Sequence, residues 1–239
     1  MKAMILAAGL GTRLRPLTND RPKALVEVGG RTLLEIALAR VREFGVREVV
    51  INTHHFAEMI TSYLRAQQYF GMRIEISAEP VLLDTGGGLK KASWFFLETA
   101  DQPFILHNVD VISTIDLGRM VESHIRSGAL ATLAVQNRRT SRYLLFDQHL
   151  ELCGRRTGPE GTPDLVRTAP QSQGLAFCGI HVISPGLLNR ITEEGAFSII
   201  ATYLRLAGAG EKITGFEADG YQWHDLGRLE DLTQAMTST

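Results

Sequence analysis

A chain of 239 residues can bury a substantial core, and a hydrophobic share of 44% excludes a disordered protein. The formal net charge of −1 leaves no uniformly basic surface for a nucleic-acid backbone, so nucleic acid is not an expected partner. No apolar stretch reaches the roughly 18 residues of a membrane span, and Cys153 and Cys178 match no metal-ligand spacing, so we expect a reduced, cytoplasmic protein without a membrane partner.

The first half of the chain alternates apolar, strand-like runs with amphipathic helical segments. Strands are predicted at 2–7, 48–52, 73–77, 103–107 and 130–136, and helices at 32–44, 57–69, after Gly88 and at 117–127. The continuously apolar first strand indicates burial on both faces. Thr32 and Glu35 form a capping-box pattern at a helix start. This alternation predicts an α/β fold with a three-layer, Rossmann-like, mostly parallel sheet.

The pattern changes after about residue 140. Short strands are predicted at 142–146, 150–152 and 176–183, and the polar stretch 154–173 is expected to be a long loop. A helix at 197–206, two short strands and a terminal helix from about Leu229 complete the chain. Because no repeat or low-complexity linker is present, we expect one domain over 1–239 that carries a small antiparallel lobe.

A glycine-rich segment at 8–18 follows the first strand. Gly9 and Gly11 allow a sharp turn that brings backbone N–H groups close to an anion, and Arg13 and Lys23 add positive charge. The segment is not a Walker A loop, because no G-K-[ST] follows, and the third glycine of a dinucleotide fingerprint is missing. Gly-x-Gly alone is more often a plain turn.

The complete string is far more specific than its two glycines. It reads Leu6-Ala7-Ala8-Gly9-x-Gly11-Thr12-Arg13-Leu14-x-Pro16-Leu17-Thr18, with Pro22-Lys23 following. This string closely resembles the signature of sugar-1-phosphate nucleotidyltransferases. The resemblance implies that Ala8, Gly9, Gly11 and Thr12 wrap the triphosphate of a nucleoside triphosphate, which Arg13 and Lys23 neutralise as catalytic cations. Arg15 is equally compatible with a surface position.

Two widely separated aspartates complete the resemblance. Asp110 follows a predicted strand in Asn108-Val109-Asp110, and Asp225 lies in Trp223-His224-Asp225-Leu226-Gly227, which resembles the family's W-x-D-x-G. A lone aspartate at a strand end is more often a turn or cap residue. With the family signature, the pair implies a Mg²⁺ site, Asp110 as a catalytic residue and Asn108 beside the nucleotide. Val109 departs from the usual Asn-Gly-Asp.

The base and sugar sites are less specific. Glu79, Thr85 and Gly88 resemble the family's base-binding segment, a glycine-rich turn before a helix, in a form similar to uridylyltransferases for N-acetylmuramate 1-phosphate and to guanylyltransferases for mannose 1-phosphate. The alternative is an ordinary helix start. The family's Glu-Lys pair is missing, so Arg156 is the candidate for the sugar phosphate, with a solvated basic loop as the alternative. Gly179 resembles a residue of the strand that lines the sugar pocket.

The predicted partners are therefore a nucleoside triphosphate, with UTP or GTP favoured, and a sugar 1-phosphate, and the products are an NDP-sugar and pyrophosphate. About 1–140 would bind the nucleotide, and about 141–239 would bind the sugar and carry the terminal helices. Val109 and the missing Glu-Lys pair leave open a catalytically weak, ligand-sensing homologue, and a cytidylyltransferase for a non-sugar phosphate is a further alternative. The sequence does not fix the oligomeric state and is compatible with a homo-oligomer.

Overall fold

The computed structural model describes residues 1–98 and 102–227, so the helix predicted from Leu229 lies outside the described residues. The strands are β1 (Lys2–Leu6), β2 (Glu27–Val28), β3 (Arg31–Thr32), β4 (Glu48–Thr53), β5 (Arg73–Ala78), β6 (Phe104–Asn108), β7 (Val111–Ser113), β8 (Ala131–Gln136), β9 (Arg142–Phe146), β10 (Leu152–Thr157), β11 (Asp164–Leu165), β12 (Gln173–Ile183), β13 (Ile213–Glu217) and β14 (Trp223–Asp225). The α-helices are α1 (Leu33–Glu43), α2 (Ala57–Ala66), α3 (Asp84–Lys91), α4 (Ser93–Leu97), α5 (Leu117–Ser127) and α6 (Ile199–Gly208).

A ten-stranded sheet forms the centre of the molecule, with the order β11-β10-β9-β12-β6-β1-β4-β5 and with β8 and β13 branching from β12. Strands β6, β1, β4 and β5 are mutually parallel. From β12 onward the pairing along this order is antiparallel. The predicted mostly parallel core with an added antiparallel lobe is therefore confirmed.

Side chains alternate between the two faces of β1. Ile5 packs into one core with α1, α2 and α5, whereas Met4 packs into a second core with α3, α4 and α6. Both side chains are fully buried, as the apolar run predicts for a strand covered on both faces. The three-layer prediction is confirmed. Within the described ranges, no helix has the length and apolar character that a bilayer crossing requires.

The start of α1 follows the predicted cap. Thr32 Oγ1 accepts a hydrogen bond from the Glu35 backbone N–H at 3.1 Å, which satisfies one of the free donors of the first turn. The Glu35 carboxylate accepts from Arg31 Nε at 2.8 Å.

The loop predicted at 154–173 is wrong in part, because β10 extends to Thr157 and β11 pairs with it. Gly154, which indicated a loop, serves this pairing. A Cβ at this position would lie 2.5 Å from the Asp164 carbonyl oxygen, so only glycine lets β11 pass so closely. Strand β10 also begins later than the predicted start at Leu150. Leu150 has a left-handed backbone with φ of 57°, and β10 starts at Leu152.

Two helix boundaries also differ from the sequence prediction. Helix α2 ends at Ala66 because the backbone turns left-handed from Gln68 to Phe70, with φ of 50° to 54°. Helix α3 begins at Asp84, so the glycines at 86–88 lie inside the helix rather than in a turn before it. Packing explains why glycine stands at these positions, since a Cβ on Gly86 would lie 2.3 Å from the Phe197 ring.

Candidate active site

The candidate site lies at the carboxyl ends of the parallel strands, where open α/β sheets bind ligands. Leu6, the last residue of β1, is flanked in register by Asn52 of β4 and Asn108 of β6. Two cavities meet at Asn108. The glycine-loop cavity has about 430 Å³, and its lining includes Ala8, Gly9 and Asp110. The arginine cleft has about 770 Å³ and is lined by residues including Arg13, Arg138, Arg139, Arg142, Gly179 and Asp225.

The short pairing of β7 with β14 brings the two predicted aspartates together. Asp225 lies opposite Val111 in this ladder, and the Leu226 N–H donates to the Asp110 carbonyl at 2.9 Å. Asp110 lines the glycine-loop cavity, and Asp225 lines the arginine cleft. The two carboxylates therefore stand at the junction of the cavities.

The predicted cations join the aspartates at this junction. The buried Lys23 Nζ forms an ion pair with Asp110 Oδ2. A Cβ placed on Gly227 would lie 2.7 Å from Asp225 Oδ1, 3.0 Å from Arg13 Nη2 and 3.4 Å from Lys23 Nζ. These three side chains converge on the Gly227 backbone, where there is no room for a side chain. The Gly227 N–H also donates to Asp225 Oδ1 at 2.8 Å. Gly227 therefore belongs to the site, although the sequence analysis assigns no role to this last residue of its motif.

The electrostatics of this junction suit a divalent cation. Burial and the charge of Asp110 raise the pKa of Asp225, while the charges of Lys23 and Arg13 oppose the shift. Two close carboxylates whose charges repel each other are a donor set that Mg²⁺ uses together with phosphate oxygens and water. In the described ranges, no three His, Cys, Asp or Glu side chains converge, so any further ligands would come from substrate or solvent.

The glycine-rich loop owes its shape to Gly11. This residue has φ of 66°, and its Cβ would lie 3.0 Å from Thr18 Cγ2 and 3.1 Å from Lys23 Cβ. Thr18 Oγ1 donates to the Gly11 carbonyl at 2.8 Å, which folds the loop back onto itself. Gly9 and Thr12 are exposed, and Thr12 opens a single 3₁₀ turn that also carries the exposed Arg13.

A buried polar network lies beneath the predicted base-binding segment. Asn52 accepts from the Ala7 N–H at 2.8 Å through Oδ1 and donates from Nδ2 to Glu79 Oε1 at 2.7 Å. Glu79 Oε2 accepts from the Leu83 N–H at 2.9 Å. Glu79 and Gly88 are buried, and a Cβ on Gly88 would meet both Glu79 and Asn52 within 2.8 Å.

Glu79 and Gly88, both predicted to bind the nucleotide, therefore lie beneath the wall of the glycine-loop cavity and support it. Thr85 lines the cavity itself, and its Oγ1 also accepts from the Ile199 N–H at 3.0 Å.

Gly179 connects the arginine cleft to Asn108. It has φ of 73° at an irregularity in β12, and a Cβ there would lie 2.8 Å from Asn108 Nδ2. Beside it, Trp223 Nε1 donates to the Cys178 carbonyl at 2.7 Å. Arg138 stacks on the Trp223 ring at 3.6 Å from the centroid. This packing holds β14, and with it Asp225, against β12.

The structure places Arg156 away from Gly179, in a third cavity that adjoins the arginine cleft. The arginines at 138, 139 and 142 line the cleft instead, and the sequence reasoning did not select them. Their signal was a run of cations directly after β8. Val109, which replaces the usual glycine, packs into the core, and its N–H donates to the Leu6 carbonyl. Burial lowers the pKa of His107 to about 4, so this imidazole is neutral.

Comparisons with known proteins identify the family and the fold of the chain. The chain matches the profile of the family described as nucleotidyl transferase over residues 2–239. It is 36% identical over 230 residues to an N-acetylmuramate alpha-1-phosphate uridylyltransferase of Caulobacter vibrioides, with 93% of this chain and 90% of the relative covered. It is 30% identical over 235 residues to a mannose-1-phosphate guanyltransferase of Yarrowia lipolytica, with 97% of this chain and 62% of the relative covered.

The fold has been observed before. The crystal structure of HddC from Yersinia pseudotuberculosis matches with a TM-score of 0.80 at 21% identity, covering 99% of this chain and 98% of that one. The chain belongs to the nucleotidyl transferase family. Within that family, the predicted resemblance to sugar-1-phosphate nucleotidyltransferases is confirmed, and so is the predicted enzyme class.

Proposed function

We propose that this chain transfers the uridylyl group of UTP to the phosphate of a sugar 1-phosphate related to N-acetylmuramate 1-phosphate, with Mg²⁺ as cofactor. The observation that carries the proposal is the meeting of Asp110, Asp225 and Lys23 at the junction of two cavities. The glycine-loop cavity would take the nucleotide and the arginine cleft the sugar, so the reacting phosphates would meet at the charged junction.

The reaction requires charge stabilisation rather than a covalent nucleophile. An oxygen of the sugar phosphate attacks the α-phosphorus of the triphosphate, the bond between the α-phosphorus and its bridging oxygen breaks, and pyrophosphate leaves. The attacking phosphate is already ionised near neutral pH and needs no base. Negative charge on the phosphoryl oxygens would be balanced by Lys23 and Arg13, and by the backbone N–H groups near Gly9.

Asp110 and Asp225 would hold the Mg²⁺ ion. Bound there, the ion would neutralise phosphate charge and orient the reacting groups. Burial and the charge of Asp110 raise the pKa of Asp225, and a bound cation would offset both effects; Lys23 would then be free to contact phosphate instead of Asp110.

The choice of UTP and of the sugar rests on the Caulobacter vibrioides relative. Its similarity to this chain extends over nine-tenths of both sequences, so the match is not confined to one of the two cavities. GTP is the second candidate, supported by the mannose-1-phosphate guanyltransferase of Yarrowia lipolytica. We place the reaction in the cytoplasm, where Cys153 and Cys178, which are free and buried, would stay reduced.

The deciding experiment measures pyrophosphate release for four nucleoside triphosphates, each combined with several sugar 1-phosphates in the presence of Mg²⁺. We expect the highest kcat/KM for UTP with N-acetylmuramate 1-phosphate. A preference for GTP with mannose 1-phosphate would replace the proposed pair. Absence of turnover for every pair would exclude the proposed function.

A further inference from the structure

Arg138 differs from the other arginines of the cleft, which are exposed, because its guanidinium packs against the protein. The guanidinium lies 3.6 Å from the centroid of the Trp223 ring, and Nη2 donates to the Phe177 carbonyl at 2.8 Å. Its Nε is buried and has no hydrogen-bond partner among the described residues. A buried donor without a partner is unfavourable for folding, so packing stability alone does not explain this placement.

The Trp223 side chain connects two strands that share no ladder. Trp223 belongs to β14, which in the described part of the chain pairs with β7 alone. Its Nε1 donates to the Cys178 carbonyl of β12 at 2.7 Å. The register of β12 with β8 shifts between Phe177 and His181, and both accepting carbonyls lie at this irregularity. The stacked pair, which consists of the Arg138 and Trp223 side chains, therefore joins the small β7–β14 sheet to the central sheet.

Asp225 lies two residues beyond Trp223 in the same strand. Residues two apart on a strand face the same way, and both of these side chains line the arginine cleft. Because β14 has only three residues, a displacement of the Trp223 ring would move the Asp225 carboxylate with it. Groups that orient a metal ligand contribute to metal affinity although they do not touch the ion.

The charge of Arg138 would act against a metal ion at the junction. A guanidinium is always protonated, and a nearby cation repels a divalent cation. Among the described residues, Asp110 is paired with Lys23, and Arg138 forms no ion pair with Asp110 or Asp225. Removal of the charge alone should therefore strengthen metal binding, whereas removal of a group that positions Asp225 should weaken it. The two roles predict effects of opposite sign.

We propose that Arg138 is a positioning residue that holds Trp223 against β12 and thereby fixes Asp225 for binding the metal ion. This inference rests on the proposed function, because it concerns the metal site formed by Asp110 and Asp225. It assigns to the arginine cleft a residue that acts on the metal ligand through an aromatic ring rather than on a substrate.

The test measures Mn²⁺ binding by electron paramagnetic resonance, without nucleotide and with one equivalent of UTP, in proteins shown to be folded by urea denaturation. Arg138→Ala should bind Mn²⁺ about 10-fold or more weakly than the wild-type protein, the scale of a lost group that orients a metal ligand. Arg138→Lys keeps the charge but cannot both stack on the indole and donate to the carbonyl, so it should also bind Mn²⁺ more weakly. It decides the test if Arg138→Ala does not fold.

Arg139→Ala is the matched control for Mn²⁺ binding. Arg139 carries the same charge and lines the same cleft, but among the described residues only Arg138 stacks on Trp223. The control should bind Mn²⁺ as tightly as the wild-type protein or more tightly. An equal loss in both alanine variants would assign the effect to the charge of the cleft and overturn the proposal.

Fluorescence reports on the stacked pair without any metal. The chain has two tryptophans, so Trp94→Phe leaves Trp223 as the only one. In that background, Arg138→Ala should uncover one face of the Trp223 ring and increase the quenching of its fluorescence by acrylamide, and Arg139→Ala should not.

Two further results would overturn the proposal. One is Mn²⁺ binding by folded Arg138→Ala that equals or exceeds that of the wild-type protein, and the other is unchanged quenching of Trp223. If the wild-type protein binds no Mn²⁺ under either condition, the proposed metal site fails separately. The quenching measurement then decides whether Arg138 holds Trp223.

Discussion

The contacts of Lys23 in the structure differ from those proposed for the reaction. Its ammonium group pairs with Asp110, yet it stands beside Arg13 at the junction of the cavities. A fixed cation at this position would stabilise charge that develops on the phosphoryl oxygens, which no water molecule can do as well.

Replacing Lys23 with alanine should therefore lower kcat by about 100-fold or more, the scale of one lost transition-state donor. The measurement is steady-state pyrophosphate release at saturating substrates. Arg21→Ala removes a nearby cation that is exposed and paired with Asp20, and it should leave kcat unchanged. A loss of tenfold or less in Lys23→Ala would make this lysine a peripheral contact.

The two aspartates should bind a metal ion before any sugar is present. We expect Mn²⁺, used as a paramagnetic substitute for Mg²⁺, to bind the wild-type protein with UTP, and to bind Asp225→Asn at least tenfold more weakly. Electron paramagnetic resonance of free Mn²⁺ measures this directly. Asp219→Asn is the control, since Asp219 caps the Asn137 N–H and lies outside the junction. Equal binding by the Asp225 variant would remove Asp225 from the metal site.

At the scale of the element, a glycine can be required by packing although its motif suggests a ligand. Helix α3 contains three consecutive buried glycines, and a Cβ on Gly86 or Gly87 would collide with Phe197 or with the Gly195 carbonyl. Alanine would otherwise be preferred over glycine in a helix by roughly 1 kcal/mol. Close approach of the segment before α6 explains why glycine is used.

Gly86→Ala should therefore lower the free energy of unfolding by about 1–3 kcal/mol, as expected for overpacking. Urea denaturation measures the change. Gly186→Ala is the matched control, because a Cβ there meets nothing within 4 Å, and it should be neutral or slightly stabilising. Combining Gly86→Ala with Phe197→Ala should cost less than the sum of both changes, and strict additivity would contradict the proposed collision.

The same scale shows how far the sequence predicts the structure. The parallel strands and the cap at Thr32 followed from local patterns, because apolar runs and capping residues act within one element. The strand at 154–157 did not follow from local patterns. Its pairing depends on β11, which lies beyond a turn, and on β9, where the register shifts between Leu152 and Gly154. Arg156, which the sequence predicts beside the sugar phosphate, lies in the third cavity and not in the arginine cleft, whereas Arg13, Lys23, Asp110 and Asp225, predicted from the family signature, lie together at the junction of the other two cavities.

At the scale of the whole molecule, buried histidines make stability depend on pH. Burial lowers the pKa of His124 to about 4 and that of His181 to about 3. His124 contacts Thr132 and Ser184, and His181 contacts the hydroxyl of Tyr203, so both imidazoles are neutral parts of the packing. In the unfolded chain they titrate near 6.5.

Between pH 6.5 and about 4, the unfolded chain binds protons on these histidines that the folded chain does not. The free energy of unfolding should therefore fall as the pH is lowered through this range, by up to about 1.4 kcal/mol per pH unit for each histidine. Urea denaturation at pH 7.5, 6.0 and 5.0 tests this. The His124→Gln variant should show a smaller decrease in the free energy of unfolding between pH 7.5 and 5.0. The control His149→Gln, at an exposed position, should show the same decrease as the wild-type protein. Equal free energies of the wild-type protein at pH 7.5 and 5.0 would contradict the prediction.

The pairing of β7 with β14 also has a consequence for the chain during its synthesis. The glycine-rich loop and Asp110 leave the ribosome early, but Asp225 arrives only after β9, β10 and β12 have been made. A nascent chain can thus form the glycine-loop cavity while its second carboxylate is still absent. If Asp110 and Asp225 hold the metal ion as proposed, such a chain lacks a complete site for cleaving nucleoside triphosphates, and activity begins only when the sugar-side strands are present to direct the nucleotidyl group to its acceptor.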